Sequence, residues 1–233
     1  MSLDQREEET TTTVPAPPCG ELKDGDQYFL WTEVKKFVPC DGHRSVVARG
    51  SAGSDKHYLL VPTDRVTGIE CECIQGGYDY WQEARRLIPF LFRPPSPVNP
   101  EQIGLGINSL HNRKQEQLHI HIAQFLPAAQ LTLRNNESNI PYNAWNEWTN
   151  GKAVVPIITK EDSTKYRQYR VIRTDQNTSN LNLFAALKQY VNHKMADQTL
   201  ILIPRVGGGW YVLNSEPDLG GGTGTCDHLL LYT

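Results

Sequence analysis

From Gln117 to Ile122 polar and apolar residues alternate: Gln117, Leu118, His119, Ile120, His121, Ile122. A period of two fits a strand, because successive side chains of a strand point to opposite faces. Leu118, Ile120 and Ile122 then face a core, while His119 and His121 share the other side. Upstream stand Asn108, His111, Arg113, Lys114, Gln115 and Gln117. Amides donate hydrogen bonds without adding charge, and Arg or Lys neutralises an anion, so the run predicts a phosphate site beside two imidazoles. On spacing alone the pair also fits a metal site, structural core histidines or surface residues, the zinc reading being the weaker for want of a convincing third ligand. For zinc, His111 and His57 are the third-ligand candidates, but nothing in the sequence fixes either and no His-Glu-x-x-His pattern exists. The expectation is therefore no metal and no cofactor.

With 233 residues the chain forms one large domain, or one compact unit of two similar halves. A net charge of -3 leaves no broad basic surface and predicts no nucleic-acid partner. Residues 1–22 carry Glu7 to Glu9, Thr10 to Thr13, Pro15, Pro17 and Pro18. Such a stretch buries too little apolar area to offset its ordering entropy, so it reads as a disordered arm before a folded domain over 23–233. No signal peptide is visible and no apolar run approaches the ~20 residues of a membrane span. The reading is cytoplasmic, or a chain from which a targeting segment has been removed. Of the cysteines at 19, 40, 71, 73 and 226, Cys71 and Cys73 are too close for ordinary zinc chelation. Mostly free thiols are expected; a bond such as Cys40 with Cys71 or Cys73 stays open.

Periodicity and turn residues predict the remaining elements. A short helix holds Leu30, Val34 and Phe37. Strands run at 45–49 and 57–62, joined by a turn over Gly50 to Asp55. The first long helix spans Asp79 to Pro89, with Asp79 as its cap, and a Gly-rich strand follows at 103–108. A helical or irregular segment covers Phe125 to Arg134. Strands are expected at 152–158, 167–174, 199–204 and 209–213, the last two joined through Gly207 to Gly209, with a helix at 181–191 and a closing segment at 226–232. There is no steady strand–helix alternation, which predicts an α+β fold: an antiparallel sheet with helices on one side. The glycine run is no phosphate loop, since no Gly-Lys-Ser/Thr follows it.

Gln117 to Ile122, preceded by Asn108-Ser109 and an Arg/Gln-rich loop, resembles the CDP-diacylglycerol pyrophosphatase family of the histidine-triad (HIT-like) superfamily. Leu30-Trp31, Pro39-Cys40, Tyr58 to Thr63, Thr67 to Glu70, Trp81 to Arg85, Met195 to Leu200, Gly209 to Leu213 and Asp227-His228 are similar to further blocks of that family, in the same order. The resemblance implies a HIT-like antiparallel sheet and a metal-independent hydrolase that cleaves CDP-diacylglycerol to CMP and phosphatidate. It implies His121 as the nucleophile and His119 as an orienting residue. Asn108, thirteen residues before His121, and Gln115 and Gln117 fall where phosphate contacts are expected, with Arg113 and Lys114 clamping or recruiting the diphosphate.

Two departures are visible. The third histidine of the triad is Ala123, so a leaving-group proton must come from His111, Arg113, Gln124 or water, or is not needed. The membrane-directing N-terminus of bacterial members is replaced by the polar arm, which opens other substrates. One alternative is a soluble enzyme of specialised metabolism acting on another diphosphate or a hydrophobic small molecule. Another is a non-catalytic nucleotide or lipid-phosphate binder. Histidine-triad proteins often pair, which makes a homodimer one expectation and completion of the fold within one chain the other.

Overall fold

A computed structural model of the chain describes residues 19, 25–36, 44–50, 55–162, 164–175, 182–191 and 194–232. In chain order the main elements are α1 (Phe29–Val34), β1 (Ser45–Arg49), β2 (His57–Pro62), α2 (Tyr80–Leu91), β3 (Ile103–Ile107) and β4 (Ile120–Phe125). Then come α3 (Pro127–Asn135), β5 (Val154–Ile158), β6 (Tyr166–Thr174), α4 (Leu183–Val191), β7 (Thr199–Pro204), β8 (Trp210–Ser215) and the two-residue β9 (Leu230–Leu231). The fold is α+β. One antiparallel sheet runs β1-β2-β4-β3-β7-β8-β6-β5, with β9 on β4 beyond the end of β2. The order helix–strand–strand–helix–strand–strand occurs twice, from α1 to β4 and from α3 to β8, and the two runs meet where β3 pairs with β7.

Both faces of the central strands are apolar, and this decides where the helices go. Leu200 and Leu202 of β7 pack on one face with Ile120 and Ile122, under Trp81, Ala84 and Ile88 of α2 and Phe184 and Leu187 of α4. Ile201 and Ile203 lie on the opposite face, under Ala129 and Leu133 of α3. Leu30 and Val34 of α1 cover Leu59 and Val61 of β2. The expectation of helices on one side is thus corrected: a strand with consecutive apolar residues exposes hydrophobic surface on both faces, and each needs a cover.

Local signals behave as their chemistry dictates, with two adjustments. Asp79 caps α2, its carboxylate accepting from the N–H groups of Trp81 and Gln82, both at 3.0 Å. The helix does not stop at Pro89 but continues to Leu91, since the next residue, Phe92, is buried in the core and closes the last turn onto the Ile88 carbonyl. Phe125 belongs to β4, so the helix expected there begins only at Pro127. The β7–β8 turn forms where expected, on three glycines with φ of 90°, 107° and 84°.

Cys71 is bonded to Cys19, with Cα atoms 5.9 Å apart, and Cys73 and Cys226 are free thiols. Neither pairing left open, Cys40 with Cys71 or with Cys73, is therefore the one formed; Cys40 lies outside the described residues, as do residues 1–18. Cys19, inside the stretch expected as an arm, also pairs with Val66 as an isolated bridge. Among the described residues no helix is long and apolar enough to cross a membrane.

Candidate active site

β4 carries Ile120 and Ile122 into the face under α2, so His121 and Ala123 point to the other face. On that face the apolar cover is split between the α1 cluster and the α3 cluster. The histidines occupy the gap. His119 lies one residue before β4, and its ring meets that of His121 edge-on, with centroids 4.9 Å apart. The shared side predicted from alternation is therefore present, although the strand itself starts later than expected.

Room for a cover over this face comes from β3. Gly106 stands opposite His121 and Gly104 opposite Ala123. A Cβ on Gly106 would lie 2.6 Å from Cys226 Cβ, and one on Gly104 3.0 Å from Leu230 Cδ2. Only hydrogen at these positions lets the segment 223–232 lie against the sheet. Asn108, two residues after Gly106, holds that segment. Its Oδ1 accepts from the Cys226 N–H (2.8 Å) and the Thr225 hydroxyl (2.9 Å), and its Nδ2 donates to Asp227 Oδ1 (3.2 Å). The Tyr232 hydroxyl donates to the same Asp227 oxygen. The Tyr232 ring stacks on His57 at 4.1 Å and on His121 at 4.8 Å, nearly parallel to both.

His57 enters from β2, opposite Ala123 and diagonal to His121. Its Nε2 lies 3.0 Å from His121 Nδ1. His121 Nε2 is buried and has no hydrogen-bond partner among the described residues. His119 Nδ1 sits 2.7 Å from the Gln117 carbonyl, which only accepts; that nitrogen therefore carries the proton. Burial pushes all three imidazoles down. His57 falls to about 4, with His119 adding to the effect, and His121 falls well below its ordinary value with His119 and His57 contributing. The cluster is neutral at pH 7. Lys160 supplies positive charge beside it: its ammonium donates to the Leu230 carbonyl (3.1 Å) and lies 5.1 Å from the Tyr232 ring centre. Burial pushes the Cys226 thiol and the Tyr232 hydroxyl up, so both keep their protons.

The other residues singled out from the sequence have their contacts elsewhere. Gln117 is fully buried; its Nε2 donates to the Pro62 and Asp64 carbonyls (3.0 and 2.9 Å), and its Oε1 accepts from Arg65 and the Val66 N–H. Gln115 accepts from the Leu30 N–H at the start of α1 (3.0 Å). The buried Arg113 guanidinium bridges Glu70 (2.6 Å) and Glu116 (2.7 Å). His111 is exposed, 3.1 Å from Asp197, and Lys114 is exposed. Of the eight, His119, His121 and Asn108 come together. The structure adds His57, Asp227, Tyr232 and Lys160; in the sequence His57 was a third-ligand candidate and Asp227 fell in a block similar to the family, while Tyr232 and Lys160 carried no signal. For a metal, His121, Cys226 and Asp227 each offer one donor atom, all within 4.8 Å of one another. A groove of about 880 Å³ lies elsewhere, between α2 and the β7–β8 turn, and none of these residues lines it.

The model of the CDP-diacylglycerol pyrophosphatase family matches residues 32–230. The chain belongs to that family. The match takes in both runs of the sheet, all three histidines and Asp227. CDP-diacylglycerol pyrophosphatases of Mycobacterium bovis and Mycobacterium tuberculosis are each 30% identical over 155 residues, covering 58% of this chain and 57% of the relative. One from Yersinia pestis is 34% identical over 79 residues, covering 33% of this chain and 31% of its own length. The matched part thus spans a little over half of the mycobacterial relatives.

Proposed function

We propose that the chain is a metal-independent diphosphate hydrolase with His121 as its nucleophile, and that its reaction is the family's: CDP-diacylglycerol and water to CMP and phosphatidate. The observation that carries this reading is the buried, unpartnered Nε2 of a neutral His121 whose Nδ1 is held by His57. With Nδ1–H donating to His57, Nε2 keeps its lone pair and can attack. The Nε2–phosphorus bond forms on the cytidine side as the bridging oxygen departs with phosphatidate. Water then attacks the same phosphorus, the N–P bond breaks, and CMP leaves. Positive charge that develops on the His121 ring is shared through Nδ1–H with His57, which burial keeps neutral and able to accept. Lys160 acts electrostatically on both His57 and His121 and would favour phosphoryl charge.

Asn108 supports the reaction by holding Asp227 and Tyr232 in place, and a phosphate contact from it would require the segment 223–232 to shift. Arg113, Gln115 and Gln117 support the site by fixing the loop that delivers His119. We further read α1–β4 and α3–β8 as two copies of one HIT-like unit, so that one chain completes what two chains otherwise build. The Cys19–Cys71 bond favours an oxidising compartment over the cytoplasm expected from the sequence.

The test is CMP release by the full chain and its His121→Asn variant. The expected loss is roughly a thousandfold or more. Wild-type turnover by that variant would remove His121 as nucleophile. Binding of CMP without turnover or adduct in the unaltered chain would favour the non-catalytic alternative.

A further inference from the structure

Two side chains beside His121 touch no reacting atom in that hydrolysis. Cys226 Sγ is fully buried against Gly106, the residue opposite His121. The recorded bonds of the Asp227 side chain, from Asn108, Tyr232 and the Cys226 thiol, all fall on Oδ1. A ring nitrogen of His121, Cys226 Sγ and an Asp227 oxygen lie within 4.8 Å of one another. Nδ1 of His121 is engaged by His57, whereas Nε2, buried in a residue only 7% exposed, lacks a partner among the described residues.

The donor set selects the cation. Calcium and magnesium take oxygen ligands, whereas one nitrogen, one sulfur and one oxygen suit zinc, with a fourth position left for water. Tetrahedral bonds of about 2.0–2.3 Å place donors roughly 3.5 Å apart, so the three must close by about 1 Å.

We propose that His121, Cys226 and Asp227 form a zinc site, and that zinc there inhibits the enzyme by occupying the nitrogen that attacks phosphorus. As the Sγ–zinc bond forms, the thiol proton goes to solvent. A thiolate and a carboxylate then balance the two charges of the ion, and the imidazole binds neutral. The inhibition rests on His121 as nucleophile; the binding does not.

Cobalt(II) tests the site directly, because a cobalt–thiolate bond absorbs in the near ultraviolet. The expected result is such a band on the full-length chain, saturating at one equivalent and displaced by zinc. Zinc should stop CMP release with the same midpoint, and a chelator should restore it. Cys226→Ser should lose the band, bind cobalt at least about tenfold more weakly and turn over unhindered by zinc. Cys226→Ala is the second variant, should the serine disturb folding, and Cys73→Ser should keep both band and inhibition. The proposal is overturned by a folded wild-type chain without the band, by a band that survives loss of Cys226, or by zinc that stimulates turnover. A normal band with uninhibited turnover would overturn the inhibition and His121 as nucleophile, and would leave the metal site standing.

Discussion

His57 stands opposite Ala123 on the neighbouring strand, and its ring reaches across to His121 at 3.0 Å. A methyl group on β4 leaves space on this face, and an imidazole from β2 lies over it. The position where the sequence departs from the histidine triad is therefore next to an imidazole that comes from elsewhere in the chain.

His57→Ala should lower kcat by about a hundredfold with a smaller change in KM, since it frees Nδ1 of His121 and the ring loses its orientation. His57→Gln, which can still accept from Nδ1–H, should recover part of that loss. Steady-state CMP release measures both. Equal activity in Ala, Gln and unaltered chains would show that the His57 contact has no part in turnover.

The depressed histidines make the fold sensitive to acid. The folded pKa of His57 lies near 4 against an ordinary 6.5, and His119 and His121 are lowered as well. Between those values the unfolded chain binds more protons than the folded one, so stability is full above about pH 6.5 and falls as pH drops toward 4. Melting temperatures across that window should decline, and less steeply in His57→Gln. A flat profile in the unaltered chain would contradict the neutral cluster.

Asn108→Ala strands the Cys226 N–H and removes two further bonds to the segment 223–232. The expected cost is about 1–3 kcal/mol in urea unfolding, with a loss of turnover as Tyr232 leaves the imidazoles. Unchanged stability with only a raised KM would instead make Asn108 a direct substrate contact.

Gly106→Ala places a methyl 2.6 Å from Cys226 Cβ, where neither strand nor segment yields easily. Overpacking of this kind costs about 1–3 kcal/mol. The chain should fold, with kcat reduced and Tyr232 fluorescence altered. Wild-type kinetics would mean that the segment is not needed for the chemistry.

Among its described residues, the second run carries no counterpart of the histidines. Its buried residues on the same face include Tyr169 and Val171 of β6 and Tyr211 and Leu213 of β8. Quenched turnover should therefore trap one nucleotidyl group per chain, detected by intact mass. Two per chain would refute both the assignment of His121 and the reading of the second run as a scaffold.

The histidine pair was legible because its signal is local: alternation over six residues fixes which side His119 and His121 share. The strands and the caps were legible for the same reason. Amides gave no such guidance. Gln117 reads like a phosphate donor, yet both ends of its side chain are spent on the turn from Pro62 to Val66, and a sequence cannot tell one carbonyl-seeking amide from another. Asp227 and Tyr232 are more than a hundred residues from His121 and reach it only because Gly104 and Gly106 admit their segment. Those glycines marked a strand in the sequence but not what lies on it. The apolar run Leu200 to Ile203 pointed to burial on both faces, and reading it so would have placed helices on both.

A ribosome makes this chain from its N-terminus, so residues 223–232 emerge after every other strand of the sheet. Until they arrive, β3 shows bare glycines and His121 has neither Tyr232 above it nor Asp227 beside it. Seating of this segment is thus the step that would arm the proposed site, and a chain that has not yet made it, or has been clipped before residue 223, would hold that site unassembled.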